Sequence, residues 1–162
     1  MPECKFVDHR DKAYRIGEFL RSYGDGLPEI AIDEATKGDN LDHFVLDCNE
    51  SNDIVSAVTW ERNDWYLCTV HYLATHDKYR GKGLGSKVVE QAMKDTAKDP
   101  LCLVLAADIT YNNHASKAIF KRNGFEEKSR FCFGAGEDPG DVLHYVRFPA
   151  KCEGDKCVCP PV

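Results

Sequence analysis

No stretch of this chain stays apolar for longer than Leu101 to Ala107, far short of the roughly 20 residues that cross a bilayer. The first ten residues already carry Glu3, Lys5, Asp8 and Arg10, so no signal-peptide core is seen there. Internal repeats and low-complexity linkers are lacking, and so is an excess of positive charge. Against 21 Lys and Arg stand 27 Asp and Glu, giving a net charge of −6. Partners expected from this balance do not include nucleic acid or a membrane. What is present is ordinary for a globular fold. The 162 residues are 43% hydrophobic and 30% charged, enough for one domain over 1–150. A flexible tail is expected over 151–162.

The chain has eight cysteines. Cys4, Cys48, Cys68, Cys102 and Cys132 are widely spaced, the last four in apolar, strand-like runs, and read as buried thiols of a reducing, cytoplasmic compartment. Cys152, Cys157 and Cys159 crowd the tail without the spacing of a zinc site. No metal is expected.

Hydrophobic periodicity predicts strands at Cys4–Val7, His43–Cys48, Ile54–Arg62, Trp65–Thr75, Leu101–Asp108, Phe125–Phe133 and Asp141–Phe148. It predicts helices at Asp11–Tyr23, 28–36, Gly83–Lys98 and Asn113–Asn123. Asn63-Asp64 reads as a two-residue hairpin turn. The order implies an α/β (α+β) domain built on a single mixed sheet of six to seven strands with about four helices packed on it. A helical crossover joins Trp65–Thr75 to Leu101–Asp108 and makes those two strands parallel.

The most informative segment runs from Leu73 to Ser86. It sets a strand end, a basic loop and three glycines at a helix start. Residues 78–87 hold Lys78, Arg80, Lys82 and Lys87 and no acid. A helix N-terminus has unpaired N–H groups and partial positive charge, and glycines let an anion approach them. A Walker A loop would need Lys-Ser or Lys-Thr after the last glycine, and a dinucleotide fingerprint would need glycine where Ser86 stands. Neither fits.

Arg80-Gly81-Lys82-Gly83-Leu84-Gly85, preceded by Leu73-Ala74-Thr75, resembles the acyl-CoA-binding motif of the GNAT N-acetyltransferase superfamily. Asn113-His114-Ala115-Ser116, Phe120 and Gly124-Phe125 are similar to a later motif of the same superfamily. The two matches span about residues 54–125. The resemblance implies the acyl-CoA N-acyltransferase fold, in which the mostly antiparallel sheet has a central splayed parallel pair. It implies acetyl-CoA as donor, with the amides of Gly81 to Ser86 on its diphosphate. It places Leu73, Ala74 and Thr75 along the pantetheine arm, with Asn113, Ser116 and Phe120 on the arm's other side. Arg80 is a cofactor or loop-ordering residue, and Lys82 could reach a phosphate.

Alternation puts Thr69, His71, Leu73 and Thr75 on one strand face. His71 then stands near the thioester end and is the expected general base, its unperturbed pKa of ~6.5 suiting removal of a proton from an amine. Glu61, His76 and His114 are alternatives. The resemblance puts an oxyanion donor among the amides of Leu73 and Ala74. Phe120 stands where many relatives carry a tyrosine acid, which leaves thiolate departure to Tyr111, to water or to no acid at all. The acceptor is expected to be a primary amine on a small molecule or basic peptide, because residues 25–42 carry six acids and one base. A homodimer is compatible with this reading. A binding module that keeps the CoA site without catalysis is the alternative.

Overall fold

A computed structural model describes residues 3–131 and 142–147. Helices α1 (His9–Tyr23) and α2 (Glu29–Ala35) open the chain, and a 3-10 turn over Gly38–His43 leads into strands β1 (Phe44–Cys48), β2 (Ile54–Arg62) and β3 (Leu67–Thr75). Helix α3 (Leu84–Ala97), strand β4 (Val104–Thr110), helix α4 (His114–Arg122) and strands β5 (Glu126–Phe131) and β6 (Val142–Arg147) complete it. The strands form one sheet in the order β1-β2-β3-β4-β6-β5. Among the described residues only β3 and β4 run parallel, as the helical crossover requires.

Local chemistry explains the boundaries. Asp8 caps α1 by accepting from the Asp11 N–H, and Asp11 in turn accepts from the Val7 N–H. The helix therefore starts at His9, ahead of the expected Asp11. Asp99 accepts the Leu101 N–H through its side chain and the Cys102 N–H through its carbonyl. That turn consumes the first residues of the apolar run, so β4 starts at Val104 and extends to Thr110. Between β2 and β3 the link spans Asn63 to Tyr66, four residues where a two-residue turn was expected, with Trp65 63% exposed.

Two apolar layers sandwich the sheet. On one face Val58, Cys68, Val70, Leu105, Ala107, Ile109 and Tyr145 pack with Val88, Val89 and Ala92 of α3 and with Phe120 of α4. On the other, Ala57 and Ala74 pack with Ile16, Phe19 and Leu20 of α1 and Ile32 and Ala35 of α2.

Residues 4–7 form no strand. Cys4 is instead bonded to Cys48, and Lys5 exchanges two hydrogen bonds with the Asn52 side chain. The expectation of free thiols is thus overturned at Cys4 and Cys48, because folding brings together two cysteines 44 residues apart. Cys68 and Cys102 are buried free thiols, as expected. Cys132 and the tail cysteines lie outside the described residues, as do the ends of the last two expected strands.

Candidate active site

The β3–β4 pairing is short. It joins Leu67 to Val104, Cys68 to Leu105 and Thr69 to Ala106, and then stops. Beyond Thr69 the two strands part and leave a cleft of about 550 Å³ between them. The cleft is bounded by the α1–α2 loop, the glycine-rich turn and one side of α4.

The register of β3 against β2 decides which side chains face which side of it. His71 pairs with Thr59 and Ala74 with Ala57, so three steps on β3 match two on β2. This is a β-bulge at Tyr72–Leu73, with Tyr72 at φ +52°. The extra residue reverses the alternation. His71, Thr69 and Ala74 share the α1–α2 face, while Leu73 and Thr75 turn to the α3–α4 face. There a β-carbon on Gly85 would lie 3.4 Å from Thr75 Oγ1 and 3.8 Å from Leu73 Cδ1. The expected single face of Thr69, His71, Leu73 and Thr75 is therefore corrected. Tyr72 and Leu73 have no register partner on β2 and face a strand that has turned away. Their main-chain groups border the cleft.

His71 lines the cleft, and its Nε2 lies 3.0 Å from Glu61 Oε1. Glu61 also accepts from Asn63 Nδ2 at 2.8 Å, and Asn63 accepts from Thr69 Oγ1. In the neutral ring, Nε2–H donates to the carboxylate and Nδ1 is left as acceptor. Tyr72, also in the cleft wall, has its phenol pKa pushed up by burial and then by the Glu61 charge.

At the other end, Gly81 and Gly83 have φ of +75° and +80°, left-handed values that glycine adopts without steric cost. A β-carbon on either would meet nothing within 4 Å. No side chain caps α3, so the first-turn N–H groups of Leu84, Gly85 and Ser86 are open to an anion. Gly85 answers a different need: its β-carbon would lie 2.9 Å from Ile119 Cδ1, so its absence lets α4 approach.

The cleft wall includes Leu73, Ala74, Thr75, Arg80, Gly81, Gly83, Leu84, Gly85, Ser86, Asn113, Ser116 and Phe120. Lys82 is the one expected cofactor residue outside it; its Nζ lies over the Tyr79 ring at 5.1 Å. The Arg80 guanidinium is held by the Thr75 carbonyl, Asp77 and Asp25. Asn113 Oδ1 caps α4 by accepting the Ser116 N–H. Phe120 is 3% exposed and packs edge-on against Phe125. Tyr111 stands outside the cleft under Lys117 and Arg130, and His76 and His114 are also outside it.

The acids of 25–42 are largely compensated. Asp25 pairs with Arg80, Glu29 and Asp33 with Arg21, Glu34 with Lys37, and Asp42 with Lys12. A second acid site went unseen in the sequence: Asp108 of β4 lines the cleft, 2.6 Å from His144 Nδ1 on β6. Only strand pairing joins these two, 36 residues apart.

Residues 8–125 match the Acetyltransferase (GNAT) family. The chain is a member of the GNAT acetyltransferase family. Family membership makes it an acyltransferase, and GNAT proteins of known structure share its fold. The ribosomal-protein-S18-alanine N-acetyltransferase of Escherichia coli superposes with a TM-score of 0.71 at 12% identity, covering 94% of this chain and 96% of that one. A GNAT acetyltransferase from Streptococcus pneumoniae gives 0.66 at 17% identity, covering 89% and 96%. The NatC complex bound to Gag peptide and CoA gives 0.71 at 17% identity, with the same coverages. No curated protein matches by sequence. Among the described residues, no helix is long and apolar enough to cross a membrane.

Proposed function

We propose that the protein moves an acetyl group from acetyl-CoA to a primary amine by direct attack within a ternary complex. The observation that carries this reading is the cleft at the splay. It has an uncapped helix start at one end and an imidazole backed by a carboxylate at the other. The turn Gly81–Ser86 fits a diphosphate, since two left-handed glycines leave open space over amides with no side-chain cap. Leu73, Ala74 and Thr75 would flank the pantetheine arm on one side, and Asn113, Ser116 and Phe120 on the other. Arg80 orders the loop through Thr75, Asp77 and Asp25, and Lys82 adds a nearby positive charge.

An aliphatic amine arrives as ammonium, with a pKa near ~10. His71 Nδ1 takes one proton, directly or through water, while Glu61 favours the imidazolium that forms. The freed lone pair attacks the acetyl carbon, and the carbonyl electrons move to oxygen. The main-chain amides beside the bulge are the donors for that oxygen. Collapse breaks the carbon–sulfur bond, and the electron pair leaves on sulfur. The second nitrogen proton passes to the thiolate, giving amide and CoA thiol. Phe120 cannot supply that proton.

A thiol-release assay with acetyl-CoA and a panel of primary amines tests the proposal and names the acceptor class. The buried Phe120 favours a second reading, a CoA-binding module without turnover. Acetyl-CoA binding with no thiol release for any amine establishes that alternative. The Cys4–Cys48 bond bears on location: a cytoplasmic protein would carry it as a reversible pair. Mass spectrometry after rapid thiol blocking in cells reports its state.

A further inference from the structure

Two histidine–carboxylate pairs flank the mouth of the splay on one face of the sheet. Thr69 and Ala106 form the last parallel rung, and both lie on the α1–α2 face. His71 and Asp108 each stand two residues beyond that rung on the same face. The neighbours of Asp108, Ala107 and Ile109, pack on the opposite side with α3.

The pairs are oppositely oriented. On β3 the imidazole of His71 lines the cleft and Glu61 stands behind it. On β4 the carboxylate of Asp108 lines the cleft and His144 stands behind it, donating from Nδ1 to Oδ1 at 2.6 Å. That bond orients the carboxylate, and an imidazole N–H can donate it without carrying a charge. Among the described residues the Asp108 carboxylate has no other hydrogen bond or ion pair, and Oδ2 has no partner there. The acids of the α1–α2 region, by contrast, mostly already hold arginine or lysine.

We infer that Asp108, oriented by His144, is the group that recognises the acceptor as a cationic amine. The inference rests on the N-acetyltransferase reading and adds to it a division of labour across the splay. Asp108 holds the ammonium through one N–H while His71 removes another proton. The nitrogen becomes positive again as its lone pair bonds to the acetyl carbon, and the same carboxylate then faces the developing charge. Selectivity for charged amines follows from Asp108, and the proton-transfer step from His71.

The test compares wild type with Asp108→Asn using two isomeric amines. Phenethylamine is an ammonium ion at neutral pH and 4-ethylaniline is uncharged. The CoA-bound proteins are titrated with each amine by calorimetry, and KM and kcat are measured wherever turnover occurs. Asp108→Asn is expected to weaken phenethylamine binding and raise its KM about tenfold or more. It should leave 4-ethylaniline and CoA affinity unchanged. His144→Ala should give a smaller loss in the same direction, partly restored in His144→Gln. Equal losses for both amines, an unchanged affinity for phenethylamine, or no phenethylamine binding by wild type overturns the inference. Selective phenethylamine binding without turnover upholds the subsite and refutes the N-acetyltransferase reading instead.

Discussion

Gly83 offers the sharpest test of the diphosphate cradle, because the structure separates its backbone role from its space. Its φ of +80° is left-handed, and a β-carbon there would touch nothing within 4 Å. Gly83→Ala therefore carries no packing clash, only the conformational penalty of about 1–2 kcal/mol for an L-residue in that region. For a domain of this size that lowers Tm by roughly 2–8 °C. Gly38 supplies the control: φ +50°, nothing within 4 Å of its β-carbon, and no place in the cleft wall. Gly38→Ala should lose comparable stability and no CoA affinity. Gly83→Ala should also lose CoA affinity, since its methyl group and the relaxed loop disturb amides that no side chain caps. One charge-assisted hydrogen bond is worth about 1.5–3 kcal/mol, so the expected rise in Kd is on the order of tenfold to a hundredfold. Urea denaturation reads the first quantity and calorimetry with CoA the second. Unchanged CoA affinity in Gly83→Ala, with the stability loss present, would refute the cradle. An unchanged stability would refute the strain argument.

Four further outcomes are expected. His71→Ala should lower kcat by ~10²-fold or more with CoA affinity nearly intact, as removal of a general base does; wild-type turnover in stopped-flow assays would move the role elsewhere. Phe120→Tyr should change turnover by less than about threefold, because a thiol pKa near ~8.5 lets the thiolate leave unassisted; a tenfold gain would show that sulfur protonation limits the rate. Replacing Cys4 and Cys48 by alanine opens a 44-residue loop and should cost about 2–4 kcal/mol in urea denaturation, whereas a loss below about 1 kcal/mol would contradict it. Asp47 is 1% exposed, its carboxylate oxygens have no well-formed hydrogen bond among the described residues, and burial pushes its pKa up. A carboxyl raised in the folded state stabilises least when ionised, so stability should fall as pH rises from the unfolded value of ~4 through the raised one. Asp47→Asn should flatten that fall and gain about 1 kcal/mol at neutral pH, measured as the difference between two pH–stability curves.

Much of the fold was legible because its signals are local. The glycines after Arg80, the periodicity of α3, and Asn113 before α4 each act within a turn of the chain, and nearly all the residues they singled out line the cleft. What escaped depends on distant partners. Nothing in Val70-His71-Tyr72-Leu73 marks a bulge, since the residue with positive φ is a tyrosine, so simple alternation put His71 on the wrong side of Leu73 and Thr75. The 36 residues between Asp108 and His144 hide their pairing, and spacing alone cannot join Cys4 to Cys48. The acidic run at 25–42 was visible as composition, but its neutralisation by Arg21, Arg80 and Lys12 is a property of the fold.

The extra residue at Tyr72–Leu73 also has a consequence for how the strand can change. With uniform alternation, residues 69, 71, 73 and 75 would all answer to one neighbourhood, and a substitution suited to the acceptor would press on the donor. The bulge gives β3 two addresses. Thr69 and His71 before it lie on the α1–α2 side, and Leu73 and Thr75 after it on the α3–α4 side. A change at Thr69 is then met on the α1–α2 side while Leu73 and Thr75 keep their contacts with Gly85. Removing one residue at 72 or 73 would let β3 pair evenly with β2, with His71 still opposite Thr59 and Ala74 still opposite Ala57. A one-residue deletion at 72 or 73 should therefore leave the rest of the strand facing as it does and remove the unpaired main-chain groups that border the cleft.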